Sequence, residues 1–260
     1  MNAAAVPVPR RVVVTRPAAQ AADWVRRLRA AGIDAVALPL IEIAPASDIA
    51  AVAAEWAGLA SRRLVFFVSP NAVLHFFAAR PSGSSWPAGV VAAAPGPGSA
   101  SVLRQVGVPA SQIVEPAADS SSFDSEAVWL RLRERDWRDA SALIVRGDGG
   151  REWLADRLSE AGAEVDAVGA YRRVAPAFSG TDRELLDALV AGGDSLWLFS
   201  SSEAIGHLEA AVGAGRWSQA LAIASHPRIA ARARAAGFGR VDEPAPGFAA
   251  LVACIQSTRP

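Results

Sequence analysis

Two segments of this chain, residues 11–45 and 142–176, share one pattern, and this repetition restricts the folds open to the chain. Each segment has a short apolar run, an amphipathic stretch at helical spacing and a second extended stretch. Arg16 corresponds to Arg146 and Gly32 to Gly162, a separation of 130 residues, which is half of the chain. The repeat predicts two similar halves, each opened by a strand–helix–strand unit.

The correspondence continues after these units. Residues 66–76 (FFVSPNAVLHF) resemble residues 197–208 (WLFSSSEAIGHL), and residues 90–108 resemble residues 221–238. Unrelated α/β units can look alike by chance. Three correspondences in one order, at a nearly constant offset, favour an internal duplication instead.

Strand-length apolar runs alternate with helical stretches along the rest of the chain. This alternation predicts an α/β fold with parallel sheets covered by helices on both faces. At 260 residues and 52% apolar composition, the chain can form one large or two small domains, and the duplication favours two. Residues 1–10 are predicted to be a disordered lead-in. The predicted strands are 12–14, 35–43, 64–68, 90–93, 113–114, 142–145, 165–174, 196–199, 221–224 and 241.

Composition excludes several classes of function. The chain has 26 acidic and 26 basic residues, so no net field attracts it to nucleic acid or to an anionic membrane. Every basic residue is arginine, and the absence of lysine excludes a P-loop lysine, a Schiff-base lysine and a pyridoxal anchor. The single cysteine, Cys254, excludes an intrachain disulfide and a cysteine-rich metal site. Any charged ligand must therefore be bound by a local arrangement of residues.

Membrane and export signals are not found in the sequence. It has no apolar run of membrane-spanning length. Residues 1–10 lack the charged start, apolar middle and cleavage site of a signal peptide. We therefore expect a cytoplasmic protein.

Four polar turns follow predicted strands, at residues 69–71, 96–99, 200–202 and 225–227, and each leads directly into a predicted helix. Such a turn presents unpaired backbone N–H groups and hydroxyls at the positive end of a helix dipole, which suits an anion. For any one turn taken alone, a helix cap is the better explanation of its Ser or Asn. Four turns together predict a cleft for a ligand with several carboxylates or phosphates. The candidate binding residues in them are Ser69, Asn71, Ser99, Ser201, Ser202 and Ser225.

Arg16 and Arg146 occupy equivalent positions at the ends of the first strands of the two repeats. Each guanidinium can bind a carboxylate through two hydrogen bonds, and a structural ion pair with a nearby Asp or Glu is the alternative. The glycine-rich stretch 147–151 lacks the G-x-G-x-x-G pattern of a dinucleotide site. The three histidines do not have metal-ligand spacing, and neither a G-x-S-x-G motif nor a legible catalytic triad is present.

Tyr171 is the only tyrosine of the chain, and it lies in the extended stretch that ends the second repeat. A tyrosine in a strand usually packs its ring in the core and keeps its hydroxyl hydrogen-bonded. Its position at the expected crossing between the two domains makes it a candidate for function as well.

A set of motifs, taken in order, resembles the uroporphyrinogen-III synthase family. The motifs are VVVTRP with PLIEIAP, FVSPNAV, GPGS, FDSEAVWL, VRGDGGREWL with AYRR, SSSEA and SHPRIAARARAAGF, and they extend from residue 11 to about residue 255. The resemblance implies a lyase (hydro-lyase) of heme and tetrapyrrole biosynthesis that uses no cofactor or metal. Its substrate would be hydroxymethylbilane, a linear tetrapyrrole with eight carboxylates, which is closed to uroporphyrinogen III with inversion of ring D and loss of water.

The resemblance also bears on single residues. The family's tyrosine corresponds to Tyr171, which is implied to assist departure of the hydroxyl group. Many members have a Gly and a Thr in the turn that is here residues 224–227, so Ser225 departs from the family's pattern.

The architecture that the resemblance implies is a monomer with two flavodoxin-like lobes joined by a two-stranded connector. Lobe 1 would combine residues 11–35 with residues 177–255. The connector strands would be residues 36–45 and 165–176, and lobe 2 would be residues 46–164.

Two functions of other classes stand beside this one. A non-catalytic two-lobed protein would close on a polyanionic ligand, but the absence of a signal peptide counts against a periplasmic binding protein. A sugar-nucleotide transferase would also have two similar α/β lobes. The absence of lysine and of a nucleotide motif counts against the transferase.

Overall fold

The computed structural model describes residues 11–117, 119–120, 122–149 and 153–258. The predicted lead-in at residues 1–10, and Gly150 and Arg151 of the glycine-rich stretch, lie outside the described residues. The chain forms two compact units. The first unit consists of Met1–Glu42 and Val174–Pro260, and the second unit consists of Ile43–Arg173. The backbone therefore leaves the first unit once and returns to it once.

Strands and helices alternate along the described residues, as the sequence predicts. In chain order the strands are β1 (Arg11–Val14), β2 (Ala35–Ala37), β3 (Glu42–Pro45), β4 (Leu64–Phe67), β5 (Val91–Ala93), β6 (Ile113–Val114), β7 (Ser141–Gly147), β8 (Glu164–Val174), β9 (Ser195–Phe199), β10 (Leu221–Ala224) and β11 (Arg240–Asp242). The helices are α1 (Ala18–Ala30), α2 (Ile49–Gly58), α3 (Pro70–Ala78), α4 (Pro97–Gln105), α5 (Ser125–Leu132), α6 (Trp153–Glu160), α7 (Gly180–Gly192), α8 (Ser202–Val212), α9 (Pro227–Ala235) and α10 (Phe248–Ser257).

The first unit contains a five-stranded parallel sheet in the order β2-β1-β9-β10-β11. This is the flavodoxin-like order: counted along the chain within this sheet, the first strand (β1) lies between the second (β2) and the third (β9). Every residue of β9 and β10 is buried, as expected where helices cover both faces of a parallel sheet. The carboxyl ends of β1, β9 and β10 lie at one edge of this sheet.

The second unit contains a sheet in the order β3-β8-β7-β4-β5-β6. The strands from β8 to β6 are parallel, and they have the order of the first sheet if β7 and β8 take the places of β1 and β2. In each sheet, the strand–helix–strand unit that opens one half of the sequence lies beside the later strands of the other half. The topology therefore agrees with the duplication inferred from the sequence.

Each unit has its own cluster of buried aromatic rings. In the second unit Trp56 stacks on Phe76, with ring centres 4.9 Å apart. In the first unit Trp217 stacks on Phe238 at 5.6 Å. Full burial of one such side chain stabilises the folded state by roughly 1.5–3 kcal/mol. These clusters help to fix the helices against the sheets.

One predicted strand, residues 35–43, is divided in the structure. β2 ends at Ala37, and the next strand, β3, belongs to the other sheet. Pro39 follows an edge strand, and its missing N–H would face away from β1, so no ladder hydrogen bond is lost there. The N–H of Leu38 donates to the carbonyl of Val14 at 3.0 Å, and the regular parallel register ends after this bond. The N–H of Leu40 still donates to the carbonyl of Thr15 at 3.2 Å. The segment thus stays attached to the first unit up to Leu40.

Candidate active site

The four polar turns lie in two pairs, one pair in each unit. Turns 200–202 and 225–227 follow β9 and β10, which are neighbours in the first sheet. Turns 69–71 and 96–99 follow β4 and β5, which are neighbours in the second sheet. Neighbouring parallel strands end at the same edge of a sheet, so each pair of turns places two helix N-termini side by side. Each unit therefore has one edge with backbone donors suited to an anion.

Two of the predicted serines are also helix caps. Ser69 Oγ accepts the N–H of Ala72 at 3.2 Å, and Ser201 Oγ accepts the N–H of Glu203 at 3.2 Å. Capping occupies one acceptor position of each hydroxyl and leaves its hydrogen for another partner. Capping and ligand binding are therefore compatible at both positions.

In the other two turns, the predicted serine is not the cap. His226 caps α9, because its Nδ1 accepts the N–H of Arg228 at 3.1 Å, and Ser225 beside it is exposed. α4 begins after Gly96 without a side-chain cap. Ser99, in the first turn of α4, is buried. These two turns therefore differ from each other in how far their serine hydroxyls can be reached.

Asn71 and Ser202 lie in the first turns of α3 and α8 and are partly buried. Ser202 Oγ is buried and has no hydrogen-bond partner among the described residues. A buried hydroxyl without a partner costs about 1–3 kcal/mol. A polar ligand group that reached this hydroxyl would recover that free energy.

A cavity of about 310 Å³ opens at the carboxyl edge of the first sheet. Its walls come from β1, α1, β9, β10 and the segment 244–248, and we call it the Arg16 cavity. It brings together Arg16 and Ser225, two of the predicted binding residues, but it does not include Ser201 or Ser202. The sequence did not predict the contribution of segment 244–248, which leads into α10.

Arg16 lies in this cavity beside an aromatic ring. The strand end that carries it is fixed by Thr15, whose buried hydroxyl donates to the carbonyl of Leu198 at 2.6 Å. The Arg16 guanidinium lies 4.6 Å from the centre of the Trp24 ring and donates to Gln20 at 3.5 Å. Burial lowers the pKa of Arg16, because the charged group is removed from water. Within the described part of the chain Arg16 has no Asp or Glu partner, so the alternative of a structural ion pair is not seen there.

A second arginine of the same cavity, Arg27, was not predicted from the sequence. Its guanidinium lies 4.0 Å from the centre of the Phe248 ring and 5.7 Å from that of Trp24. Its acidic neighbour is Asp23, at 4.0 Å, a carboxylate that also pairs with Arg26. The available signal was the spacing of Trp24 and Arg27, one turn apart on α1. The contact with Phe248 joins opposite ends of the chain, so local patterns do not show it.

The second unit has a cavity of about 230 Å³ at the end of β7, which we call the Arg146 cavity. Arg146 lines it together with Ser125, Ser159 and Asp156. Arg146 is half-buried and already has an interaction partner. A carboxylate in the wall makes this cavity less suited to an anion than the Arg16 cavity.

Tyr171 lies in β8 and is buried, with 2% of its surface exposed. Its hydroxyl is 3.2 Å from Ser69 Oγ, and its ring stacks on His75 with centres 5.9 Å apart. The register of β7 against β8 shifts between Arg146 and Gly147, and the tyrosine ring packs against the glycine. A Cβ atom at Gly147 would lie 2.8 Å from Cζ of Tyr171, so the glycine makes room for the ring. Tyr171 and Ser69 therefore belong to one cluster.

Other kinds of site are not apparent in the described residues. They contain no group of three or more His, Cys, Asp or Glu side chains able to hold a metal ion. Cys254 is partly buried, and burial raises the pKa of its thiol, which disfavours the reactive thiolate. No helix within the described ranges is long and apolar enough to cross a membrane.

The family to which the chain belongs follows from comparison with known proteins. The family model described as "Uroporphyrinogen-III synthase HemD" matches residues 22–253. The chain belongs to the uroporphyrinogen-III synthase family. The matched region includes Tyr171 and all of the predicted binding residues except Arg16, which precedes it.

Relatives among the uroporphyrinogen-III synthases match most of the chain. That of Salmonella typhimurium is 32% identical over 185 residues, which cover 67% of this chain and 69% of the relative. That of Escherichia coli is 31% identical over 199 residues, which cover 71% of this chain and 76% of the relative. Membership of the family therefore rests on an extended match and not on one motif.

Solved structures of uroporphyrinogen-III synthases have a similar fold. The Helicobacter pylori protein gives a TM-score of 0.60 at 14% identity, covering 96% of this chain and 100% of that one. A mutant of the Thermus thermophilus protein gives a TM-score of 0.56 at 16% identity, covering 95% of this chain and 96% of that one. At such low identities the likeness indicates the shared fold alone.

Proposed function

We propose that this protein is a uroporphyrinogen-III synthase, a hydro-lyase that closes hydroxymethylbilane to uroporphyrinogen III with inversion of ring D and loss of water. The observation that carries the proposal is membership of the family across residues 22–253. The anion-binding character of the helix starts and of the Arg16 cavity supports it, since the substrate has eight carboxylates. We assign no cofactor or metal to the reaction.

The chemistry of ring closure explains why such a site would consist mainly of anion-binding groups. Departure of hydroxide from a carbon attached to an electron-rich pyrrole is already easy in solution, and unassisted closure gives the uninverted isomer. The enzyme has mainly to hold the chain so that the terminal ring is attacked at its substituted carbon. Both reacting ends belong to one molecule, so holding the chain decides mainly which carbon is attacked. Positioning is therefore the main task of the proposed site.

The carboxylates of the substrate would be held by two kinds of donor. Backbone N–H groups at the four helix starts bind anions locally, which suits a chain of zero net charge. The guanidiniums of Arg16 and Arg146 would each take a carboxylate through two parallel hydrogen bonds. The side chains proposed to contribute at the helix starts are those of Ser69, Asn71, Ser99, Ser201, Ser202 and Ser225.

For Tyr171 we propose a role in departure of the hydroxyl group that acts through Ser69. The tyrosine hydroxyl is buried and lies 3.2 Å from Ser69 Oγ, at the start of α3. Ser69 is then the group that meets the leaving oxygen, and Tyr171 orients and polarises its hydroxyl. This arrangement supplies a hydrogen bond to the leaving group and requires no strong acid.

The remaining proposals concern architecture and location. We propose a monomer that acts in the cytoplasm, with lobes formed by residues 11–35 with 177–255 and by residues 46–164. Residues 36–45 and 165–176 would connect them. Both passages of the backbone between the compact units, at residues 42–43 and 173–174, fall inside these connecting segments, which supports the proposed boundaries.

An isomer analysis tests the proposed activity. The purified protein is incubated with enzymatically generated hydroxymethylbilane, and the oxidised porphyrins are separated into types I and III. Type III as the main product supports the proposal. Binding of the substrate with only type I as product would contradict it and would favour the non-catalytic binding protein.

A further inference from the structure

We propose that the Arg16 cavity binds a single pyrrole ring together with its carboxylate arms, and that the Arg146 cavity does not. The identity of the ligand rests on the proposed function. The inference adds Trp24 and Arg27 to the binding residues. It also makes the two copies of the duplicated fold unequal in what they bind.

The two cavities occupy the same place in the duplicated fold. Each lies at the end of the first strand of its repeat, β1 or β7, and beside the helix that follows, α1 or α6. Arg16 and Trp24 correspond, 130 residues later, to Arg146 and Leu154. The start of another helix completes each cavity: α10 in the first unit and α5 in the second. A difference between their walls is therefore a difference between two copies of one site.

The walls differ in charge. The residues that line the Arg16 cavity, all within the described part of the chain, include two arginines and no Asp or Glu. The lining of the Arg146 cavity includes Asp156. Arg157, the counterpart of Arg27, is not among the residues that line the Arg146 cavity. It pairs with Glu160 at 2.7 Å, whereas the acidic neighbour of Arg27, Asp23, is 4.0 Å away. An anion is attracted by two guanidiniums and repelled by a carboxylate, so the first cavity is the better anion site.

The walls also differ in aromatic surface. Trp24 and Phe248 of the Arg16 cavity are in edge-to-face contact, with ring centres 5.6 Å apart. At the corresponding places the Arg146 cavity has Leu154 and Ser125. A flat, electron-rich ring such as pyrrole packs well against aromatic rings and guanidinium planes. Leucine and serine offer neither kind of surface. The described lining of the Arg146 cavity includes one aromatic ring, Phe66, whereas that of the Arg16 cavity includes three, those of Trp24, Phe199 and Phe248.

The two arginines are held in place before any ligand arrives. The Arg16 guanidinium lies 4.6 Å from the centre of the Trp24 ring, and that of Arg27 lies 4.0 Å from the centre of the Phe248 ring. A ligand carboxylate would give Arg16 the countercharge that the described residues do not supply. Because the arginines already pack against aromatic rings, less side-chain entropy is lost when the ligand binds.

The volume of the cavity limits the size of the ligand. Small-molecule pockets typically measure roughly 300–1,000 Å³. A cavity of about 310 Å³ is at the lower end of this range. It admits one ring with its acid arms but not a chain of four such rings. The predicted ligand is therefore one acid-bearing pyrrole unit of the substrate, with the rest of the tetrapyrrole outside this cavity.

Calorimetric titration of the full-length protein with a monopyrrole that bears one acetate and one propionate arm tests this inference. One equivalent should bind to the parent protein at low ionic strength. Arg27→Leu should weaken binding about tenfold or more, because it removes charge-assisted hydrogen bonds, whereas the matched change Arg157→Leu should leave the Kd within about twofold. Circular dichroism and thermal unfolding establish that both variants are folded.

A flexible aliphatic diacid separates recognition of the ring from simple attraction of an anion. The parent protein should prefer the pyrrole. Trp24→Leu, which introduces the residue found at the equivalent position 154, should remove that preference. The inference would be overturned by parent-like affinity in Arg27→Leu or by equal weakening in Arg27→Leu and Arg157→Leu. It would also be overturned if the protein bound two equivalents of pyrrole with equal affinity, or bound none at millimolar pyrrole.

Failure of the proposed activity can be distinguished from failure of the cavity assignment. A protein that produces only the type I isomer, but binds one pyrrole through Arg27, retains the cavity assignment and loses the enzymatic one. A protein that produces type III isomer, but whose pyrrole binding does not depend on Arg27, retains the activity and loses the cavity assignment.

Discussion

The hydroxyl of Tyr171 lies 3.2 Å from Oγ of Ser69, so the tyrosine of one repeat contacts the residue that caps α3 in the other half of the sequence. Ser69 Oγ also accepts the N–H of Ala72. The hydroxyl of Ser69 is therefore held in position by two polar neighbours, the N–H of Ala72 and the hydroxyl of Tyr171. Changes at Tyr171 are expected to act on the turn at residues 69–71.

Tyr171→Phe should lower turnover about ten- to a thousandfold, less than the loss of a direct general acid, because Tyr171 acts through the hydroxyl of Ser69. The residual product should still be the inverted isomer, because carboxylate contacts position the chain. Single-turnover kinetics with isomer analysis measures both quantities. Parent-like activity would mean that Tyr171 has only a packing role, and mostly type I product would mean that its role is to orient the substrate.

Gly147→Ala should destabilise the protein by about 1–3 kcal/mol, because the added Cβ would meet the Tyr171 ring in a packed core. The clash is with Cζ at 2.8 Å. Gly169→Ala is the matched control in the adjoining strand, where the added Cβ would have its closest contact at 3.8 Å, with Asp148. Urea unfolding of both variants measures the difference. Equal stabilities would show that the tyrosine ring does not depend on this glycine.

Ser201→Pro and Ser201→Ala separate the backbone donors of turn 200–202 from the serine hydroxyl. Ser201 has a φ of −151°, whereas proline requires about −65°, so proline removes an N–H group and displaces the turn. We expect loss of most activity with the fold retained. Ser201→Ala removes a cap worth about 0.5–2 kcal/mol and leaves the backbone donors, so activity should fall less.

Steady-state kinetics and circular dichroism of the two Ser201 variants make this comparison, and the same pair of changes applies to Ser69. Negligible effects of both the proline and the alanine changes would count against these turns as part of the site.

Arg16→Ala should raise KM about tenfold or more, because a bidentate contact with a carboxylate is lost. The melting temperature should change little, since Arg16 has no carboxylate partner within the described residues. Arg11→Ala is the control, at the start of the strand that Arg16 follows. Arg11 pairs with Asp34 at 3.0 Å at the surface, where such pairs contribute about 0–1 kcal/mol to stability. The KM of the Arg11→Ala variant should therefore be unchanged. A large loss of stability with parent kinetics would show that Arg16 is structural.

The fold could be predicted from the sequence because the repeat contains information on strand order. The 130-residue offset places β7 and β8 where β1 and β2 stand in the other sheet. The division of the predicted strand at residues 35–43 was missed because the apolar pattern continues past Pro39. The break depends on the register of the segment against β1, which is lost after Leu38 and which the apolar pattern does not report.

The candidate site could be predicted only in part. Ser69 and Ser201 stand at helix starts, which have a local signature in the sequence. The cavity position of Arg27 depends on Phe248, which packs against it from the other end of the chain. The burial of Tyr171 similarly depends on a strand irregularity at Gly147, and short sequence windows do not report such contacts.

The fraction of type III isomer, measured against protein concentration at a fixed amount of freshly generated hydroxymethylbilane, tests the proposed activity most directly. Spontaneous closure gives the uninverted isomer. The type III fraction should therefore rise from near zero without protein towards complete conversion, as catalysed closure becomes faster than spontaneous closure. Heat-denatured protein should leave it near zero. A type III fraction that stays at the protein-free value at every concentration of folded protein would contradict the assignment.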